Sequence, residues 1–370
     1  LCACNSDDIK DQMPEGYGAV EVKIVPPQTR AATTGDNSGT TVEVTGNVYV
    51  TVVHKGGEKW TQKVSASAGQ QTVKFYGVTS PTKVTVSMNG GSDAYSFAEL
   101  TSASKTVTYN LKDQFGNDAN PATADETFDL QAVNTIPVYG EATPTLTGTI
   151  EKAPNDEQYQ MYSATVALKI PVARLEVSIK RNGASEQYET LNAIGAYLDK
   201  LYSSDGVTYS GNSYPNITPS TDVVNYYYDG DYYGPGFTAQ GTGVSPLRQS
   251  LTSTPFVEDD ASTEVVGFNF YGTAADKVPH FKFIFTGAKA AEGIDAVPSV
   301  MYAKIINYKE VGKSDPIALN NGEIYQIIGL EVVDSNINMM EDDGSLEFGL
   351  TAIVEKAQWT IKNVTGTWAN

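Results

Sequence analysis

Apolar and polar residues alternate at every second position through much of this chain. Between Gly18 and Val25 the alternation is strict, with Val20, Val22 and Ile24 on one face and Glu21 and Lys23 on the other. That is the pattern of a half-buried strand. Runs rich in Val, Thr and aromatics, punctuated by Gly, Asn, Pro and Asp, predict further strands over 42–53, 72–77, 83–88, 106–111 and 162–170. The second half predicts strands over 175–179, 193–202, 265–271, 280–286, 301–308, 323–333 and 346–361. Helical spacing occurs only at 94–102 and 189–201. The second of these reads as a strand, because Ile194, Ala196 and Leu198 alternate with Gly195 and Tyr197.

The last predicted strand is unusual. Leu346, Phe348, Leu350, Ala352 and Val354 share one parity, after which the apolar phase shifts to Ala357, Trp359 and Ile361. A run of about fifteen strand residues is far longer than the usual ~5–6. Many short strands at regular spacing predict an all-β chain of antiparallel sandwiches, and 370 residues suit two in tandem. Pro171, which cannot donate to a sheet ladder, marks the join. The expected division is 1–30 as an N-terminal segment with its own strand, 31–171 as one sandwich and 172–370 as the other. Residues 113–129 read as a surface loop, and 203–249 as the longest irregular stretch.

Composition narrows the function. Against 25 Lys+Arg stand 44 Asp+Glu, a net charge of −19, with no basic run. This argues against nucleic-acid partners, which need clustered cations at phosphates. No stretch approaches the ~20 apolar residues of a membrane-spanning helix. Both cysteines lie in Leu1-Cys2-Ala3-Cys4, and the two histidines, His54 and His280, are far apart, which argues against a His/Cys zinc site or a Cys–His nucleophile. The histidines read as structural or surface residues. The clusters Glu258-Asp259-Asp260 and Glu341-Asp342-Asp343 lack the alternating ligand spacing of a calcium loop and read as solvated turns. No G-x-S-x-G, P-loop or G-x-G-x-x-G is present. The expectation is a non-enzyme with no metal and no cofactor; a hydrolase using the acidic clusters is the weakest rival.

The chain ends carry the informative pattern. Leu1-Cys2-Ala3-Cys4 followed by Asn5-Ser6-Asp7-Asp8 reads as the end of a bacterial lipoprotein signal with Cys4 acylated. After the first strand, Pro26-Pro27-Gln28-Thr29-Arg30 leads into the small polar residues 31–39. Arg30 is thus a lone basic residue in an exposed loop, where proteases cut. A cut between Arg30 and Ala31 would let Val20, Val22 and Ile24 leave the sheet together. The long C-terminal strand could then complete the sheet of a neighbour, as in donor-strand assembly. The tyrosine-dense stretch Tyr226-Tyr227-Tyr228-Asp229-Gly230-Asp231-Tyr232-Tyr233 has two readings: a loop folded over its own domain, or an adhesive surface.

This order of acylated Cys, removable strand, Arg cleavage point, two sandwiches and Trp-containing terminal strand resembles the Bacteroidetes fimbrillins, the type V pilins. Ile136-Pro137-Val138-Tyr139-Gly140, Pro171-Val172-Ala173-Arg174-Leu175-Glu176-Val177 and Leu350-Thr351-Ala352-Ile353-Val354-Glu355-Lys356-Ala357-Gln358-Trp359, with Trp368 near the end, are similar to stretches of that family. The resemblance implies two transthyretin-like sandwiches and a structural pilus subunit, exported as an outer-membrane lipoprotein through Cys4 and then displayed in a cell-surface fimbrium. An Arg-specific protease would cut after Arg30. Leu346, Phe348, Leu350, Val354 and Trp359 would fill a neighbour's groove. The implied partners are further fimbrial subunits, as a homopolymer or with anchor and tip proteins, and the outer membrane through the precursor's lipid. The rival reading is a tip adhesin or surface lipoprotein that binds a host glycan or protein through Tyr226, Tyr227, Tyr228, Tyr232 and Tyr233.

Overall fold

The computed structural model describes residues 17–25, 43–44, 47–65, 70–88, 105–110, 126–129, 138–170, 172–182, 188–202, 207–209, 223–224, 226–227, 243–245, 247–256, 262–289, 299–339, 350–358 and 360–361. The strands, in chain order, are β1 Tyr17–Val25, β2 Glu43–Val44, β3 Asn47–His54, β4 Lys59–Ser65, β5 Gln71–Thr79, β6 Pro81–Met88, β7 Lys105–Asn110, β8 Glu126–Asp129, β9 Val138–Ala142, β10 Thr145–Lys152 and β11 Gln158–Ala167. They continue as β12 Ala173–Asn182, β13 Tyr188–Asp199, β14 Leu201–Tyr202, β15 Val207–Tyr209, β16 Val223–Val224, β17 Tyr226–Tyr227, β18 Gly243–Val244 and β19 Arg248–Pro255. The last are β20 Val266–Phe270, β21 His280–Lys289, β22 Ser299–Glu310, β23 Glu323–Val333, β24 Asn338–Met339, β25 Leu350–Gln358 and β26 Thr360–Ile361. A single 3-10 turn at Asp334–Asn336 interrupts them, and the described residues contain no α-helix.

Two four-stranded sheets, ordered β10-β11-β1-β5 and β4-β3-β6-β9, are built from strands that end by Ala167. Val20, Val22, Ile24, Val73, Phe75 and Val166 from the first sheet share one core with Val48, Val50, Val52, Val84 and Val86 from the second. Valine suits this role because its branched Cβ packs well on a pleated, half-buried surface. The second half forms one continuous sheet, β19-β13-β21-β22-β25-β23-β12-β20, with β24 beside β22. It curls on itself, so that Phe268 of β20 meets Phe281 of β21 with ring centroids 5.7 Å apart, and Phe256 meets Phe285 at 5.2 Å. The fold is all-β, in tandem sandwiches. Two short pairings join strands from the two halves: β7 with β15, and β2 with β26.

Three expectations are corrected. The loop expected over 113–129 ends in β8, which pairs in parallel with β7. The irregular stretch expected over 203–249 holds β15 to β18 and the start of β19. In β13 the simple alternation fails. A register slip between Ala193 and Gly195 against β21 turns Ile194 to the opposite side. Ile194 therefore packs with Tyr197 and Ile284 in a small separate cluster, while Ala196 and Leu198 join the main core.

Candidate assembly site

The first strand is an inner strand. β1 runs parallel to β11, from Gly18 opposite Gln160 to Val25 opposite Ala167. On its other edge it runs antiparallel to β5, from Tyr17 opposite Thr79 to Ile24 opposite Gln71. Val20 and Val22 are fully buried and Ile24 nearly so. Burial of three such side chains contributes roughly 5–9 kcal/mol before ordering costs. The outward face is held electrostatically: Glu21 lies 3.5 Å from Lys23 and 3.7 Å from Lys74, and Lys74 bonds Glu151 at 2.6 Å. That hydrogen bond is the main reason the Lys74 pKa is raised.

Gly18 fixes the register of this strand. A Cβ there would lie 2.6 Å from Tyr162 Cε2 and 2.8 Å from the Gln160 carbonyl oxygen. Sequence reasoning noted the alternation but missed this residue; a glycine in a strand is the signal of close backbone approach. Taking β1 away would leave the facing edges of β11 and β5 unpaired above an apolar trough. Cys4, Arg30 and Ala31, the expected lipidation and cleavage residues, lie outside the described residues.

The C-terminal strand is divided. Leu350 to Val354 pair in parallel with β22, and Glu355 to Gln358 pair antiparallel with β23. Along β25 the hydrogen-bonded neighbour thus changes from β22 on one edge to β23 on the other. Ala352 and Val354 are buried in the core of their own half, and Ile353 is 60% exposed. The next described residues, Thr360 and Ile361, pair with β2. Of the expected donor residues, Leu350 and Val354 thus sit in β25, whereas Leu346, Phe348 and Trp359 lie outside the described residues.

The motif opening the second half is explained by packing. Leu175 and Val177 face the core, while Arg174 and Glu176 lie on the opposite face of β12. Arg174 donates through Nε to Glu176 at 2.6 Å and through Nη1 to Asn269 at 3.1 Å; Gln326 donates to the other Glu176 oxygen at 2.8 Å. Gly267 leaves room for the guanidinium, which occupies the space a Cβ would need.

The tyrosine stretch is only partly described. Tyr226 and Tyr227 form β17, which pairs in parallel with β18 and lies against β13. Backbone placement therefore favours a segment folded over its own sheet; Tyr228, Tyr232 and Tyr233 lie outside the described residues. His54 is buried: its Nδ1 accepts from the Thr79 amide at 3.1 Å, and its ring meets Trp60 edge-on at 4.5 Å. Burial lowers its pKa, with Glu58 opposing. Burial, Lys200 and other lysines hold His280 down to about 3 against the opposing pull of Asp199. Among the described residues no group of three His, Cys, Asp or Glu side chains is placed to hold a metal ion.

No protein-family model matches this chain, and no curated protein matches it. Solved structures do. A candidate cell-adhesion protein from Bacteroides eggerthii DSM 20697 superposes with a TM-score of 0.52 at 17% identity, covering 95% of this chain and 98% of that one. A fimbrilin (FimA) from Porphyromonas gingivalis W83 gives 0.48 at 13%, covering 93% and 99%. A candidate cell-adhesion protein from Parabacteroides distasonis ATCC 8503 gives 0.48 at 10%, covering 93% and 98%. At such identity the likeness speaks for fold, and on the Bacteroides eggerthii superposition this chain has, over nearly its whole length, the fold of that cell-adhesion structure.

Proposed function

We propose that this chain is a structural subunit of a surface fimbrium that polymerises by strand exchange. It is exported as a lipoprotein on Cys4, cut between Arg30 and Ala31 by an Arg-specific protease, and completed in the assembled state by a strand from a neighbour. One observation carries the reading: β1 is paired along both edges, with its apolar face sealed in the core. A strand so placed is a plug. While tethered it has a high effective concentration and outcompetes any intermolecular strand. Once cut free it leaves two unpaired edges and an apolar trough, which demand a replacement. A net charge of −19 keeps unassembled subunits apart. The fimbrilin and cell-adhesion likenesses agree with this role and are no more than that.

The test is limited digestion with an Arg-specific protease, followed by intact mass and a non-boiled gel. The expected result is loss of residues 1–30 and a ladder of stable multimers. Complete cleavage with β1 retained and no multimers, even with other subunits supplied, would overturn it.

A further inference from the structure

We propose that Trp60, Tyr76 and Tyr159, at one pole of the first pair of sheets, form a binding site for a pyranose unit of an uncharged glycan chain. The site is separate from the strand-exchange reading and from the tyrosine stretch at 226–233. Three connections meet at this pole. β3 turns into β4 over 55–58, β5 into β6 at Ser80, and β10 into β11 over 153–157. Thr79 ties the first two: its amide donates to His54 Nδ1 at 3.1 Å and its carbonyl accepts from the Lys55 amide at 3.4 Å. Tyr159 of β11 brings the third alongside, its hydroxyl oxygen 3.8 Å from where a Cβ on Gly77 would lie.

Trp60 is 36% exposed, yet its ring is fixed. Nε1 donates to Glu58 at 3.0 Å, and the buried His54 ring meets it edge-on at 4.5 Å. A ring held from two sides has little freedom left to lose when a ligand covers it. β5 bends at Gly77, whose φ of +74° is rarely open to a side chain. The same Cβ position lies 3.9 Å from Trp60 Cη2. The glycine thus leaves a methyl-sized gap that Trp60 and Tyr159 both reach. The Tyr159 ring then meets Tyr76 at 6.2 Å, tilted by 47°. The three rings are contiguous around one glycine.

The polar rim selects the ligand. The Tyr159 hydroxyl donates to Glu157, and that bond, with a further one from Asn155, keeps the Glu157 pKa below its ordinary value. Glu58 and Glu157 are acceptors that repel phosphate, sulfate and carboxylate groups, as does the net charge of −19. Lys74, beside Tyr76, adds a donor and opposes a cationic ligand. Hydroxyl groups donate and accept at once, and suit such a mixed rim. The C–H faces of a pyranose suit the electron-rich faces of the rings. An apolar peptide would strip water from the two carboxylates and offer them nothing in return. An uncharged sugar satisfies both the rings and the rim.

The experiment applies the full, uncut chain to arrayed oligosaccharides of uncharged hexoses and to sialylated and sulfated glycans, and titrates the ligands found by calorimetry. Uncharged glycans should bind in preference to the acidic ones. Trp60→Ala and Gly77→Asn should each weaken that binding at least tenfold, and Tyr226→Ala should leave it unchanged. Asparagine tolerates left-handed backbone and the gap has room for its Cβ, so Gly77→Asn should fill the site with the melting temperature unchanged. Absence of binding to any uncharged glycan would overturn the proposal, as would binding confined to acidic ones. Binding that survives Gly77→Asn, or that Tyr226→Ala abolishes, would place the site elsewhere and overturn it too.

Discussion

β1 and β25 look alike on paper, for each is an inner strand with one parallel and one antiparallel neighbour. They differ in how the neighbours are shared. β1 has both along its length, whereas β25 has β22 for its first half and β23 for its second. β1 is enclosed along its whole length, whereas β25 bridges two neighbours. Their surroundings differ too. The core around β1 is mostly valine, with its ion pairs on the surface, while the described residues of the second half bury large aromatics such as Phe268, Phe281, Tyr308 and Tyr325 almost completely, together with polar staples such as Arg181–Asp334. On the strand-exchange proposal, the domain that loses and regains a strand would be served by a greasy trough of simple shape, and the domain that stays folded meanwhile by directional bonds.

The largest expected effect comes from charging the plug. Val22→Asp buries a carboxylate without a partner, at a cost on the order of 4 kcal/mol or more. The same change at Ile353, 60% exposed on the bridge, should cost under about 1 kcal/mol. Calorimetry of the two variants side by side decides it. Equal losses in transition temperature would mean that the two strands are not held differently.

Much of this was legible beforehand. Strict alternation in Gly18–Val25 carries its own physical meaning and corresponds to structure, for Val20, Val22 and Ile24 are all buried. What was not legible depends on partners distant in sequence. The steric role of Gly18 is set by Tyr162 and Gln160, and the slip at Ala193–Gly195 is visible only against β21. The strand β4 was missed because it is an edge strand whose residues are largely exposed, so Lys59–Ser65 shows no apolar stripe. β10 was missed for the same reason.

Next in size is the staple of the second half. Arg181 donates to both Asp334 oxygens at 2.9 and 2.8 Å and to the Tyr188 carbonyl at 2.9 Å, and the Tyr188 amide donates to Asp334 at 3.1 Å. Asp334→Ala leaves a buried guanidinium unpaired and should cost ~3–5 kcal/mol. Replacing both partners, Arg181→Met with Asp334→Leu, should recover most of that loss in urea unfolding. If the double variant is no better than the single, the pair is not what the site depends on.

A smaller effect is set by pH. His280 is held neutral down to about 3, below the ordinary 6.5, by burial and by Lys200, Lys304 and Lys282 against Asp199. The unfolded chain takes up a proton near 6.5 and the folded chain does not. Stability from this group is therefore complete above pH 6.5 and is lost as pH falls from there towards 3. The slope approaches ~1.4 kcal/mol per pH unit. His280→Gln should flatten that part of the stability curve between pH 6 and 4, and an unchanged slope would assign the acid sensitivity to carboxylates instead.

The smallest effect lies on the outer face of the plug, and it separates folding from exchange. Lys74 is about a third exposed, and its bonds to Glu151 and Glu21 are screened by water, so Lys74→Met should change the stability of the intact chain by no more than ~1 kcal/mol. The same residue faces position 21 of whatever strand occupies the groove. In β1 that position is Glu21, 3.7 Å from Lys74. Lys74→Met should therefore weaken rebinding of a peptide of residues 16–26 to the chain cut after Arg30 by a modest factor, larger at low salt and vanishing near 1 M, where the Debye length is ~3 Å. A loss that persists unchanged at 1 M salt would mean that Lys74 holds the strand by packing and not by charge, a distinction that the large core variants are too disruptive to deliver.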